Sequence, residues 1–326
     1  MTESRRVVIT EFGPPEVMSI VVEKLARPGP GEVQMRNTAI GFNFIDINQR
    51  KGFYPLSLPT GLGFEAAGIV EAVGPGVTGI RPGMRVATMD AGLGAYCDRR
   101  NVPAERLVTL PNDISDAAAA TLLLKGLTAQ YLLHATHAVQ PGELLLVHSA
   151  AGGVGQILTR WATTLGATVI GTTGSPHKRA AALAAGCTEV IDLNEPDWPQ
   201  AFLKASGGRK ARVVYDAVGK DTLLKSLDCA AQFGLVVSYG AASGKSPAID
   251  PEVLGYKGGL FLTRPSVFQH NADPGALRAH AANLFDAMKR GDAKADIGQS
   301  FGLDQIVEAH RAVEERRVEG AVLITP

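Results

Sequence analysis

The stretch Leu144-Leu145-Leu146-Val147-His148-Ser149-Ala150-Ala151-Gly152-Gly153-Val154-Gly155 decides the fold. A continuous apolar run of strand length enters a glycine-rich turn and leaves into Gln156–Leu165, which reads as a helix. A strand that is apolar on both faces belongs in the middle of a covered sheet. Gly152 and Gly153 would let bare backbone approach a pyrophosphate, and Gly155 would let the helix lie close against the strand. The helix N-terminus adds free N–H groups and a partial positive charge for the phosphates. Ala150 occupies the place of the first glycine in the usual G-x-G-x-x-G, so the string alone is weak and its strand–turn–helix setting carries the argument.

That setting extends downstream. Thr168–Gly171, Val190–Leu193, Val213–Asp216, Leu235–Ser238 and Leu260–Thr263 are further short apolar runs, with helices such as Lys178–Ala185 and Thr222–Ala230 between them. Six strands joined by crossover helices predict an α/β fold with a doubly wound parallel sheet. Upstream, the first ~120 residues hold short strand candidates punctuated by Gly13-Pro14-Pro15, Pro28-Gly29-Pro30-Gly31 and Pro82-Gly83, a barrel-like or sandwich pattern. Ser115 is placed to cap an alanine-rich helix, and a second helix is expected from about Thr128 to His134. After Arg264 come a loop, a helix over Pro274–Arg290 and a last strand at Ala321–Ile324. That tail is too short for a domain of its own and is expected to rejoin the N-terminal one. The expected domains are therefore 1–125 with 266–326, β-rich and discontinuous, and 126–265, dinucleotide-binding.

Composition narrows the class. Among 326 residues, 32 Lys and Arg balance 32 Asp and Glu, which leaves no electrostatic footprint for nucleic acid. No apolar run approaches the ~18 residues of a membrane span. The first residues run straight into a strand-like segment without a signal-peptide core. Three cysteines, Cys97, Cys187 and Cys229, make no disulfide framework and fit a reduced, cytoplasmic protein.

The cofactor can be read further. A site for NAD carries an acid ~20 residues beyond the turn, at the end of the second strand. Here Ile170-Gly171-Thr172-Thr173-Gly174-Ser175-Pro176-His177-Lys178-Arg179 has none, and offers hydroxyls and cations suited to a 2′-phosphate. NADPH is the expected cofactor. Zinc is not expected. Cys97, Cys187 and Cys229 lack the paired spacing of a structural site, and Gly63-Phe64-Glu65 stands where zinc dehydrogenases of this general plan carry Gly-His-Glu. Asn43 stands where they carry a ligand cysteine, and Glu65 reads as a buried carboxylate in a hydrogen-bond network. Without a Lewis acid, the substrate must accept hydride readily, as quinones and electron-poor alkenes do.

These motifs converge. Together with Ala39-Ile40-Gly41-Phe42-Asn43-Phe44-Ile45-Asp46, Leu58-Pro59-Thr60-Gly61-Leu62-Gly63-Phe64-Glu65, Leu93-Gly94-Ala95-Tyr96, Leu124-Lys125-Gly126-Leu127-Thr128, Val213-Val214-Tyr215-Asp216 and Thr263-Arg264-Pro265-Ser266, the chain resembles the zinc-free medium-chain dehydrogenase/reductases, in particular the ζ-crystallin-like NADPH:quinone oxidoreductases. The resemblance implies a Rossmann sheet plus a GroES-like domain. It implies that Asn43 and Asp46 line the cleft near the nicotinamide and that Tyr54 lies over the active site. Lys125 and Thr128 would face the cofactor, with Ala151, Gly152, Gly153 and Val154 at the pyrophosphate. Gly174, Ser175 and Lys178 would hold the 2′-phosphate, and Tyr239, Ser243 and Arg264 would flank the nicotinamide. Catalytic roles then fall to Tyr54, Asn43, Asp46 and Arg264. The chain departs from the family at Asn48 and Leu193, where a tyrosine is common. Shorter echoes, Tyr131-Leu132-Leu133-His134 and Gly219-Lys220-Asp221-Thr222, are similar to the haloacrylate reductase branch, which reduces an activated carbon–carbon double bond. Relatives of this kind pair as homodimers through sheet edges, and Leu260–Thr263 is the candidate edge.

Several residues carry a second reading. Tyr54 is a proton donor or a half-buried loop aromatic. Arg264 grips an anion or makes a structural salt bridge. Asp216 is expected to cap a loop, His148 to be a satisfied buried histidine, and the three cysteines to be inert. A cofactor-binding protein without catalysis, a sensor or nucleic-acid binder, is the reading from another class.

Overall fold

The computed structural model describes residues 2–294, 296–315 and 317–326. The chain forms two compact units. The first comprises the described residues up to Leu124, Asn271–Phe285, and those from Asp296 to Pro326; the second comprises Lys125–His270 and Asp286–Lys294.

The first unit opens with β1 (Thr2–Ile9), β2 (Met18–Leu25) and β3 (Glu32–Gly41), then α1 (Phe44–Arg50), β4 (Thr60–Gly61), β5 (Glu65–Val73), β6 (Arg85–Thr88), β7 (Arg99–Pro103) and β8 (Val108–Thr109). The long strand β3 is its spine. It pairs antiparallel with β5, from Val33 opposite Val73 to Gly41 opposite Glu65, and with β7. The register puts Gly41, and hence the start of α1, beside Glu65. The core here is aliphatic and aromatic: Val7, Ile9, Met35, Ile40, Phe42, Ile47, Leu62 and Tyr96.

The helix α2 (Asp116–Tyr131) starts where Ser115 Oγ accepts the Ala118 N–H, as its cap reading expects. The separate helix expected over Thr128–His134 does not form. Gly126 does not interrupt α2, which carries through and widens into a π turn over Leu132–Thr136. Tyr215 Oη donates to the Leu132 carbonyl there at 3.0 Å.

The second unit alternates β9 (Leu144–Val147), α3 (Gly153–Thr164), β10 (Thr168–Thr173), α4 (Arg179–Ala184), β11 (Glu189–Asp192), α5 (Trp198–Ala205), β12 (Ala211–Asp216), α6 (Leu223–Cys229), β13 (Ala230–Ser238), α7 (Pro251–Tyr256), β14 (Phe261–Thr263) and α8 (Val267–His270). Its six strands run in the order β11-β10-β9-β12-β13-β14, all parallel. Every residue of β9 is buried, as a central strand requires. The order reverses between β9 and β12, so the ligand crevice of such a sheet lies at their carboxyl ends. Helix α3 turns Ile157, Leu158, Trp161 and Ala162 inward, one stripe at helical spacing.

The last elements are α9 (Pro274–Arg290), β15 (Ile297–Gly302), α10 (Ile306–Glu314) and β16 (Ala321–Thr325). Strand β16 lies antiparallel on β3, with Ile324 opposite Ile40, so the tail does return to the N-terminal strands. Strand β15 and helix α10 were not legible in advance. Within the second unit, Arg160 donates to the Lys294 carbonyl, which ties Asp286–Lys294 to that unit rather than to the tail. Among the described residues no helix is long and apolar enough to cross a membrane.

Candidate functional site

In the second unit the site begins at the end of β9. Ser149 adopts a left-handed φ of 54°, which turns the chain sharply; the Gly152 N–H closes on the Ser149 carbonyl at 2.8 Å. Ala150 donates to the Thr172 carbonyl of β10, and Gln156 Nε2 holds the Ala151 carbonyl at 2.8 Å. Gly152 then caps α3, whose first-turn N–H groups, at Gly153 and Val154, have no carbonyl four residues back within the helix. A Cβ at Gly155 would sit 2.2 Å from the Ser149 carbonyl oxygen, and one at Gly171 would sit 2.6 Å from both Ala150 Cβ and Cys187 Sγ. Both glycines are therefore demanded by close packing of turn, helix and strand. The buried Lys125 lays its stem against Gly153, whose Cβ would meet Lys125 Cδ at 3.0 Å. Thr128, one helical turn on, is also buried.

The end of β10 supplies the second part. Gly174 is exposed, Ser175 Oγ meets His177 Nδ1 at 2.9 Å, and the Lys178 N–H closes a turn on the Ser175 carbonyl. The Arg179 guanidinium pairs with Glu189 and reaches the Val190 carbonyl. Lys178 makes no ion pair among the described residues. Sequence reading overlooked an acid nearby in the sheet: Asp192 lies opposite Thr173. Its Oδ1 accepts from the Asn194 N–H and from Asn194 Nδ2, which also reaches the Gly174 carbonyl.

Asp216 ends β12 as a loop-capping carboxylate. Oδ1 accepts from the N–H groups of Val218 and Gly219 at 2.9 Å and from Thr222 Oγ1 at 2.8 Å, while Oδ2 takes Ser226 Oγ at 2.9 Å. His148 is the satisfied histidine expected, between Thr172 Oγ1 at 2.8 Å and Ser226 Oγ at 2.9 Å. Ser243 is engaged in the same loops, donating to the Val218 carbonyl and accepting from the Asp221 N–H. Arg264 does not make the salt bridge weighed above. Its Nη1 donates to the carbonyls of Ser238 and Gly240 and to Ser238 Oγ, and among the described residues no carboxylate pairs with it. Tyr239 Oη is buried and has no hydrogen-bond partner among the described residues. Burial drives the phenols of Tyr131 and Tyr239 well above the usual range, so both remain donors.

In the first unit Asn43 precedes α1, and its N–H bonds Asp46 Oδ2 at 2.9 Å. Asn43 Nδ2 donates to Glu65 Oε2 at 2.8 Å, and Glu65 Oε1 accepts the Leu124 N–H at 2.6 Å. Asp46 does not line an open cleft: it is fully buried, and its Oδ2 also takes the Tyr96 hydroxyl at 2.7 Å. Tyr54 is half-buried on the loop after α1, edge-on to Phe53. Tyr96 closes Leu93-Gly94-Ala95-Tyr96, one of the segments that carry the family resemblance, but the sequence assigned it no role. Among the described residues no three His, Cys, Asp or Glu side chains come together as a metal ion would need. The thiols of Cys97, Cys187 and Cys229 are buried and pushed up to about 11, 11 and 12, as inert cysteines would be.

A six-stranded 3-2-1-4-5-6 parallel sheet with a glycine turn after its central strand, joined to a β-rich unit, defines the medium-chain dehydrogenase/reductase class. Residues 29–144 match the model for the alcohol dehydrogenase GroES-like domain, and residues 153–268 match that for zinc-binding dehydrogenase. The chain is 44% identical to a quinone oxidoreductase of Pseudomonas aeruginosa, over 99% of this chain and all of that one. It is 43% identical to a 2-haloacrylate reductase of a Burkholderia species, over 98% of each. The Escherichia coli quinone oxidoreductase, solved as a complex with NADPH, superposes with a TM-score of 0.96 at 42% identity, covering 99% of this chain and all of that one. The chain belongs to the quinone oxidoreductase family of the medium-chain dehydrogenase/reductases.

Proposed function

We propose that this protein is a zinc-independent, NADPH-dependent reductase that delivers hydride to a quinone. The observation that carries the reading is the dinucleotide turn followed, after β10, by the acid-free stretch Gly174–Arg179, in which Lys178 makes no ion pair among the described residues. The residues present fit the cofactor: bare backbone at Gly152–Gly153 suits a pyrophosphate, and the buried Tyr239 Oη, without a hydrogen-bond partner among the described residues, suits a polar group of the bound molecule. Ala151, Gly152, Gly153 and Val154 would hold the pyrophosphate, with Gly174, Ser175 and Lys178 at the 2′-phosphate. Lys125, Thr128, Tyr239 and Arg264 would line the nicotinamide side, and Ser243 would support it through its loop. When bound, NADPH supplies the hydride.

Asn43 and Tyr54 are the residues proposed for the substrate, Tyr54 as a hydrogen-bond donor. Asp46, being wholly buried, acts through Asn43. A metal-free site is supported by the donor chemistry: an amide at Asn43 where a thiolate would be needed, and a Glu65 carboxylate that already takes two N–H donors. The alternative acceptor is an activated carbon–carbon double bond in an acid. It is supported by the similarity to the haloacrylate reductase and by Arg264, exposed and without a carboxylate partner among the described residues. We further propose that the first unit serves the substrate and the second the cofactor, in a cytoplasmic homodimer. The exposed edge strand β14, with Phe261 60% exposed and Phe233 58% exposed nearby in the unit, supports the pairing surface. Comparing NADPH consumption driven by a small quinone and by a conjugated acid, each with chelator present, tests the reading.

A further inference from the structure

Two buried groups in the first unit meet the candidate substrate residue from opposite ends. Tyr96 and Glu65 are both fully buried, Asp46 likewise, and Asn43 is 4% exposed. The hydrogen bonds form one series: the Tyr96 hydroxyl donates to Asp46 Oδ2 at 2.7 Å, Asp46 Oδ2 accepts the Asn43 N–H at 2.9 Å, Asn43 Nδ2 donates to Glu65 Oε2 at 2.8 Å, and Glu65 Oε1 accepts the Leu124 N–H at 2.6 Å. The backbone of Asn43 is thus fixed by one carboxylate and its side-chain amide by another. Because the amide nitrogen faces Glu65, the two ends of the carboxamide are distinguished.

The packing is shaped to keep this series. A Cβ at Gly63, where φ is 84°, would strike the Tyr96 ring at 2.5 Å, and a Cβ at Gly41 would lie 2.7 Å from Glu65 Oε2 and 1.8 Å from the Ala120 carbonyl oxygen. Burial and the neighbouring Asp46 carboxylate hold the Tyr96 phenol well above its ordinary range, so it stays protonated and donates at all working pH values. His310 closes the ring's other side, edge-on at 5.9 Å.

We propose that Tyr96 and Glu65 are positioning residues that hold Asn43 in its working geometry, Tyr96 through Asp46 and Glu65 directly. The proposal rests on the reading of Asn43 as a substrate-contacting residue. Neither Tyr96 nor Glu65 touches the reacting atoms; each acts by limiting the places Asn43 can occupy, which is how a displacement well away from the chemistry lowers turnover.

The test is a double-mutant cycle on the whole protein with NADPH and a small quinone, using Tyr96→Phe, Asn43→Ala and the pair. Tyr96→Phe keeps the ring and removes only the donated proton. It is expected to lower kcat about tenfold, leave the KM for NADPH within twofold, and have no further effect in the Asn43→Ala background. Glu65→Gln is expected to follow the same pattern. Loss of the same factor from Tyr96→Phe in both backgrounds, or an unchanged kcat, would overturn the proposal. Hydrogen exchange over residues 43–46 gives a readout that needs no turnover: Tyr96→Phe is expected to speed it about tenfold while β9 and β10 keep their protection. Exchange as slow as in the parent protein overturns the pin itself. Faster exchange in a protein that turns over no quinone keeps the pin, defeats the quinone reading, and moves the cycle to the conjugated acid.

Discussion

Gly155→Ala isolates what the dinucleotide turn demands. In most helices such a change is favourable by up to about 1 kcal/mol. Here the new Cβ would lie 2.2 Å from the Ser149 carbonyl oxygen and 2.9 Å from Ala150 Cα, and both are backbone. Ordinary contact needs about 1 Å more, so either the turn or the first turn of α3 must retreat by that distance. Strain of this kind costs about 1–3 kcal/mol, which the helix gain partly offsets, so the melting temperature should fall by only a few degrees. Binding has no such offset. The N–H groups of Gly153 and Val154 would move off the pyrophosphate, and hydrogen bonds to a charged group contribute about 1.5–3 kcal/mol. The Kd for NADPH, measured calorimetrically without a turnover assay, is therefore expected to rise about 10- to 100-fold. Gly255→Ala in α7 is the control, since its Cβ would meet nothing within 4 Å. A Gly155→Ala protein that folds and binds NADPH within twofold of the parent would refute the reasoning.

Three other outcomes follow from the same geometry. Lys178→Ala should raise the KM for NADPH about tenfold at low salt and leave that for NADH unchanged, because only one of them has a 2′-phosphate; equal effects would show that Lys178 does not read it. Arg264→Leu should raise the KM for a conjugated acid far more than for a neutral quinone, and equal rises would assign Arg264 to the Ser238 and Gly240 carbonyls alone. Burial, with Arg50 beside it, holds His310 well below the ordinary histidine range, and burial lowers His148 too. Both take a proton more readily when unfolded, so stability is full above the unfolded pKa of about 6.5 and is lost as pH falls below it, by up to about 1.4 kcal/mol per pH unit for each. The melting temperature should fall from pH 7 to pH 5 less steeply in His310→Gln, and an unaltered slope would contradict the assignment.

The second unit was legible because buried parallel strands write themselves as short apolar runs, as Leu144–Val147 and Val213–Asp216 do. The tail was harder. Strand β15 reads Ile-Gly-Gln-Ser-Phe-Gly, mostly exposed at the edge of its sheet beside β16, so it shows neither alternation nor an apolar run. Helix α10 did carry a helical stripe, in Ile306, Ala309, His310 and Ala312, but one broken by a histidine that the fold buries. The glycine turn Gly152–Gly155 and the start of α3 were legible from one local string, since a turn and its helix are contiguous. What spacing could not show was which side chains are already engaged. Asp46, Ser243 and Arg179 look available in sequence, and each is taken by a residue that only the folded chain brings near: Tyr96, Val218 and Glu189.

The central claim is hydride delivery from NADPH to a quinone without a metal. The most direct measurement is single-turnover oxidation of enzyme-bound NADPH on mixing with a small quinone, after exhaustive chelation. The account predicts rapid oxidation, unaffected by the chelator. No oxidation above the uncatalysed rate with any quinone, or activity that chelation removes and zinc restores, would contradict it.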